Sequence, residues 1–259
     1  MSIDRGRARG SRGQRLDLRL LEEGIAESRN RAQALILSGV VLVDDVMVDK
    51  VGTRIPAAAR IRLRAGSKRF VSRGGEKLAG ALEDLGVDPR GLHCLDVGAS
   101  TGGFTDCLLA AGASKVIALD VGRGQLHSRL RADPRVDIRE GENARQLEAG
   151  QLPPSLDLVV VDVSFISLRL LVPRFSELLP GTPLLLLVKP QFEVGREQVG
   201  KGGVVRDDAL REAAVQSVLE VARAEGYRLS ARADSRLAGP KGNREIFLLL
   251  ESEARSGPG

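Results

Sequence analysis

The sequence predicts an α/β fold, an open seven-stranded sheet layered with helices and preceded by a small α+β unit. Three observations carry this reading. From Arg69 onward, strand-like and helix-like segments alternate, and apolar runs such as Leu158–Val161 and Leu184–Val188 suit parallel strands buried on both faces. The last two strand segments follow each other with no helix between them, so one of the pair is expected to run antiparallel. Charge is the third observation: residues 1–70 hold 15 Lys/Arg against 8 Asp/Glu, whereas the remainder holds 24 against 26. A basic N-terminal quarter on a near-neutral body points to a polyanion-binding piece.

The elements follow in order. Residues 1–14, Gly/Arg/Ser-rich, are expected to be a disordered basic tail. Leu16, Leu20 and Leu21 give helical spacing over Arg15–Glu23, ended by Gly24. Ser28 is a candidate N-cap for a second helix, Arg29–Ser38, with Gly39 as its C′ residue. Val40–Val43 and Val46–Val48 read as a hairpin about Asp44-Asp45, and Arg60–Arg64 as a short strand. Residues 15–64 thus form one domain, 65–68 a linker, 69–252 a larger domain and 253–259 a flexible tail. In the larger domain strands are expected at 92–97, 115–120, 135–139, 157–162, 183–188, 227–233 and 245–251. Helices are expected near 75–86, 102–111, 123–132, 167–178 and 207–226. Cys94 and Cys107 lack metal-ligand spacing and read as reduced core thiols, which suits the cytoplasm; no metal site is expected. The run Leu184–Val188 is far too short to span a bilayer, so stable membrane insertion is not supported.

Two constellations carry chemistry. The first is a strand running into a glycine-rich turn, His93-Cys-Leu-Asp96-Val-Gly98-Ala-Ser100-Thr101-Gly102-Gly103. Glycines let a ligand approach the backbone, and the helix opening at Gly102-Gly103 offers free N–H groups. Asp120, 22 residues after Gly98 at the end of the second strand, is placed to accept hydrogen bonds from ribose hydroxyls. A nicotinamide cofactor would use the same geometry. Asp96 tips the choice toward S-adenosylmethionine, because methyltransferases commonly carry an acidic residue before this loop. Asn143, near the end of the third strand, is a candidate for the adenine.

The second constellation gathers charges at strand ends. Asp162 ends the fourth strand and Lys189 the fifth, Glu245 starts the last, and Lys77 lies on a helix start. Other acceptor chemistries lack their residues: no Asn/Asp-Pro-Pro-Tyr/Phe follows the fourth strand, and neither cysteine is placed as a nucleophile. The four charges resemble the Lys-Asp-Lys-Glu tetrad of RNA ribose 2′-O-methyltransferases. A ribose hydroxyl needs a partner for its proton, which makes Lys189 the candidate base or hydroxyl-orienting group. Lys77, Asp162 and Glu245 would support it. Phe165 and Phe192 read equally as base-stacking or core residues, and Val194–Val205 as a cover or an ordinary loop.

Between Arg15 and Arg64 the pieces RLDLRL, AESRNRA and SGVVLVDD resemble an S-four-type RNA-binding domain. The resemblance implies phosphate contacts by Arg29 and Arg31, with Arg15 a further candidate. With VSRGGEKL, LDVGASTGGFTD, DVSFISL, VKPQFEVG and GPKGNREIF added, the chain is similar to the TlyA family, whose second domain is FtsJ-like. That resemblance implies a Rossmann-like methyltransferase domain, transfer from S-adenosylmethionine to a cytidine ribose, and ribosomal RNA or ribosomal subunits as partner. Two rival functions are a non-catalytic rRNA-binding assembly factor and, least favoured, a membrane-active haemolysin.

Overall fold

The computed structural model describes residues 13–26, 28–37, 39–63, 69–239 and 241–252. Residues 1–12 of the expected tail, the linker 65–68 and the tail 253–259 lie outside them. The chain divides into two compact units, residues 1–67 and 68–259.

The first unit holds β1 (Gln14–Arg15), α1 (Leu16–Glu22), α2 (Arg29–Leu37), β2 (Val41–Val43), β3 (Val46–Met47), β4 (Arg54–Ile55) and β5 (Ile61–Leu63). Leu16, Leu20, Ala32 and Ile36 come from the two helices and pack with Val41 and Val43 into one apolar core. Strands β3, β2 and β5 form an antiparallel sheet. Asp44 and Asp45, both at positive φ, turn β2 into β3, the conformation a two-residue hairpin demands. The pairing of β1 with β4 departs from the expected helical start at Arg15. Gln14 therefore belongs to the folded unit rather than to the tail, because backbone pairing to Ile55 carries no side-chain signature.

The second unit holds α3 (Arg73–Asp84), β6 (His93–Val97), α4 (Gly103–Ala110), β7 (Lys115–Asp120), α5 (Ser128–Arg131), β8 (Val136–Glu140), β9 (Leu158–Val161), α6 (Val172–Leu178), β10 (Leu184–Val188), α7 (Pro190–Glu193), α8 (Asp208–Ala224), β11 (Tyr227–Asp234) and β12 (Ile246–Ser252). They build a seven-stranded sheet in the order β11-β12-β10-β9-β6-β7-β8. The central strands run parallel, and β12 is antiparallel to both β10 and β11, as the missing helix required. Alternate residues along the strands face two cores. Leu95, Val159 and Leu186 meet α6 and α8 on one side. Cys94, Val160 and Leu185 meet α3, α4 and α5 on the other. Each such buried aliphatic side chain contributes about 1.5–3 kcal/mol, so the sheet is the rigid base on which the strand ends are held.

Three helices differ from expectation. Only Ser128–Arg131 of 123–132 is α-helical. Gly124 at φ +69° breaks the helical path, and the Glu140 carboxylate holds the resulting turn by accepting the N–H groups of Gly124, Gln125 and Leu126. The segment 167–178 is a 3-10 turn, Leu168–Leu170, followed by α6, with Pro173 in the first turn of the latter. Helix α7 follows β10 at once, in a stretch to which the sequence assigned no element. Glu245 lies one residue before β12 rather than within it.

Candidate active site

The parallel strands end along one edge, and every candidate of the second unit except Lys77 arrives there from a strand end or the loop after it. Gly98, at φ +86°, turns the chain after β6, and a Cβ there would run into the carbonyl oxygen of Asp162. Only glycine fits that close approach. Ser100, also at positive φ, and Thr101 stand exposed at the tip, and Gly102 then opens α4. Asp120 steadies this turn: its carboxylate accepts the N–H of Ser100 at 2.8 Å and that of Gly122 at 2.7 Å. Both oxygens keep a lone pair toward solvent for a further donor.

Asp96 stands near the end of β6, just before the turn. It is fully buried, and one oxygen accepts the N–H and O–H of Thr105 at 2.8 and 2.6 Å, which ties the first turn of α4 to β6. Its other oxygen has no hydrogen-bond partner among the described residues. Burial pushes this carboxyl up to about 7, and the nearby charges of Asp162 and Asp120 act in the same direction. Asn143 follows β8 and spends its side-chain oxygen capping the turn at Ala144–Gln146 through the N–H of Arg145. The cysteines are buried in the core, where desolvation pushes both thiols up to about 12, far from nucleophilic thiolates.

The four charges form two ion pairs. Lys77 Nζ lies 2.5 Å from Glu245 Oε2, with the side chains 9% and 1% exposed. Lys189 Nζ lies 2.6 Å from Asp162 Oδ1, with the side chains 11% and 22% exposed, and donates to Ser164 Oγ at 3.0 Å. Register brings the pairs to one place. Val188 is opposite Ile246 in the β10–β12 ladder, so Lys189 and Glu245 each stand one step beyond its end. Lys77 sits in the second turn of α3, which Ser72 caps by accepting the N–H of Gly74. Arg236 clamps α3 against the loop before β12, pairing with Glu83 at 2.7 Å and Asp84 at 2.6 Å.

Several positioning groups escaped the sequence reading. Glu193, buried in α7, accepts the hydroxyl of Ser167 at 2.5 Å and the N–H of Leu168 at 2.8 Å, fixing the loop after β9. That loop presents Phe165 at φ +65° and 91% exposed, its ring 5.1 Å from that of Phe192. Phe165 is therefore not a core residue. Phe192 is half-buried beneath it. Asn243, also buried, holds the glycine-rich loop to the β12 approach, accepting from Val205 N at 2.9 Å and donating to Gly203 O at 2.8 Å. These groups lie in DVSFISL, VKPQFEVG and GPKGNREIF, but which atoms they engage is a matter of contact across the chain.

In the first unit Arg15 and Arg29 converge on one carboxylate. Arg15 bonds both oxygens of the buried Asp17, at 2.8 and 3.0 Å, and Arg29 Nε adds a bond at 3.1 Å. The Arg15 guanidinium, helped by Arg29 and Gln33, holds the Asp17 carboxyl well below the usual carboxylate range. Arg31 makes no side-chain ion pair among the described residues; its N–H donates to Ser28 Oγ, the cap expected for α2.

Comparison with known proteins gives the same division. Residues 70–252 match the FtsJ-like methyltransferase family, and residues 14–61 the S4 domain. The chain is 43% identical over 251 residues to the 16S/23S rRNA (cytidine-2′-O)-methyltransferase TlyA of Mycobacterium tuberculosis, covering 94% of this chain and 91% of that protein. It is also 43% identical over 235 residues to Hemolysin A of Brachyspira hyodysenteriae, covering 90% of this chain and 98% of that one. A solved structure described as a candidate hemolysin of Streptococcus thermophilus superposes with a TM-score of 0.73 at 36% identity, covering 93% and 89% of the two chains. No helix among the described residues is long and apolar enough to cross a membrane.

Proposed function

The chain belongs to the FtsJ-like methyltransferase family, joined to an S4 domain as in TlyA, and we propose that it methylates the 2′-hydroxyl of a cytidine ribose in ribosomal RNA. The observation that carries this reading is the pair of lysine–carboxylate bridges at the sheet edge beside the glycine turn. The turn fits S-adenosylmethionine: glycine at 98 lets the chain turn sharply against the Asp162 carbonyl, and Asp120 offers carboxylate lone pairs beside it. Gly98, Ser100, Thr101, Gly102 and Gly103 would hold the cofactor with Asp120 on its ribose. Asp96 acts from beneath, by fixing the start of α4, and Asn143 flanks the adenine side. When bound, the cofactor supplies an electrophilic sulfonium methyl group.

The protein's own residues handle the acceptor. Lys189, held by Asp162 and Ser164, meets the 2′-hydroxyl and orients it; as O2′ takes the methyl group, the hydroxyl proton passes by way of Nζ to the Asp162 carboxylate and on to water. Lys77 and Glu245 form the sealed floor that keeps this geometry fixed. Phe165, exposed and strained beside Ser164, offers a face on which the target base stacks. Arg31 of the S4 domain contacts phosphate directly, and Arg15 and Arg29 do so from the rigid platform of Asp17. Ribosomal subunits as substrate place the reaction in the cytoplasm.

The test is transfer of labelled methyl groups from S-adenosylmethionine to ribosomal subunits, with the product mapped to a ribose. The Lys189→Ala enzyme is expected to bind the cofactor normally and lose transfer by at least about a thousandfold, some 4 kcal/mol of barrier. Full activity in that variant, or label on a base, overturns the assignment. Binding to rRNA with no transfer by the parent would favour the assembly-factor reading instead.

A further inference from the structure

A cleft of about 420 Å³ opens between the loop at Val204–Arg206 and the loop before β12, walled by Arg206, Arg211, Lys241 and Arg244 with a single acid, Asp208. The acid is spent: Arg211 pairs with Asp208 and donates to the carbonyl oxygen of Arg206 at 2.8 Å, so this pair forms a neutral wall. Arg206, Lys241 and Arg244 are exposed and have no ion-pair partner among the described residues. Elsewhere in this unit Arg90, Arg129, Arg131, Arg135 and Arg236 each hold a carboxylate.

The cleft has a fixed frame. Buried Asn243 ties its two walls together through Val205 N and Gly203 O, and the end of the Lys241 side chain, Nζ included, lies against Gly203. It also adjoins the reaction centre. Arg244 directly precedes Glu245, and Gly239 of the same loop packs against Glu245 Oε1. A polynucleotide whose ribose reaches Lys189 carries a phosphate on each side of that ribose. Unpaired cations along a framed cleft beside that point are what such a phosphate requires.

We propose that Arg206, Lys241 and Arg244 form a seat for the RNA phosphodiester backbone next to the target nucleotide, distinct from the contacts made by the S4 domain. This rests on the RNA substrate reading above, and its test separates the two. The full-length Lys241→Ala/Arg244→Ala variant is compared with the parent and with Lys241→Arg/Arg244→Lys. Binding to a fluorescent fragment of rRNA is measured by anisotropy across a salt series without cofactor, and methyl transfer to ribosomal subunits is measured beside it. Calorimetry with S-adenosylmethionine shows whether the variant is folded.

The alanine variant is expected to bind RNA about tenfold more weakly, with its log–log salt slope reduced by roughly 1.5, as for two lost phosphate contacts. Its KM for subunits rises in step while kcat holds, and the charge-conserving variant behaves like the parent. An alanine variant with the parent's RNA affinity and salt slope overturns the seat, as does a parent that binds no rRNA. A parent that binds rRNA but transfers no methyl group sinks the reaction instead, and the salt comparison still decides the cleft.

Discussion

The two lysine–carboxylate bridges use the same chemical groups at the same sheet edge, yet their surroundings differ. The lysines are enclosed alike, but Glu245 is sealed at 1% exposed, whereas Asp162 is 22% exposed and Lys189 also holds Ser164. The delivering element explains the difference. Lys77 comes from the second turn of α3, whose neighbours Leu78, Ala81 and Leu82 are pressed onto the sheet. Lys189 follows the last residue of β10, where the chain leaves the sheet at Pro190. A charge carried inward by a packed helix must find its counterion there, since neither group retains water. A charge at a strand end keeps one side for a substrate.

Removing each lysine in turn is the strongest way to break this contrast. Lys77→Met leaves Glu245 charged and alone in a dry site, which should destabilise the protein by about 3–5 kcal/mol in denaturant unfolding. Lys189→Met should change stability by less than about 1 kcal/mol while abolishing methyl transfer. Equal destabilisation by the two would erase the distinction. The double variant Lys77→Met/Glu245→Met should recover most of the lost stability, because an apolar pair of similar volume replaces the bridge.

Asp96 sharpens the contrast, being a carboxyl sealed in the same region without a cation. Burial raises it to about 7 in the folded protein, so the native state retains a proton that the unfolded chain releases near pH 4. Stability from this group is complete below that point and declines as pH rises to about 7, by at most about 1.4 kcal/mol per pH unit. Thermal unfolding of Asp96→Asn against the parent, from pH 4 to 8, should show a gap that moves in the variant's favour over that window and then levels. A constant gap would mean Asp96 is ionised in the native state throughout.

Phe165 is the smallest effect and tests the open side. Phe165→Ala should change stability by less than about 0.5 kcal/mol, since the ring is exposed and the Cβ that strains this backbone is kept. It should weaken productive binding of rRNA by about 1–3 kcal/mol, seen as a rise in KM. An unchanged KM would leave the open side without a base contact.

Much of this was legible in the chain. The alternation after Arg69, the glycine turn and the antiparallel finish all followed from period, turn chemistry and apolar runs, and Gly24, Ser28 and Gly39 marked helix ends correctly. The helix expected over 123–132 did not form beyond Ser128–Arg131, because Gly124 takes a left-handed conformation and a glutamate from a neighbouring strand holds the turn it makes. The β1–β4 pair was invisible for a related reason: backbone hydrogen bonds are the same for every sequence.

The sequence by itself determined which groups would stand at the strand ends, because a charged residue that closes an apolar run has nowhere else to go. Tertiary structure decided their partners. It gave Glu245 to Lys77 and Asp162 to Lys189, put Asp96 beneath the glycine turn, and locked Arg15 and Arg29 to Asp17. Among the described residues it also left Arg206, Lys241 and Arg244 without carboxylates. Pairing across 168 residues, as between Lys77 and Glu245, depends on register and helix docking, which local spacing does not encode.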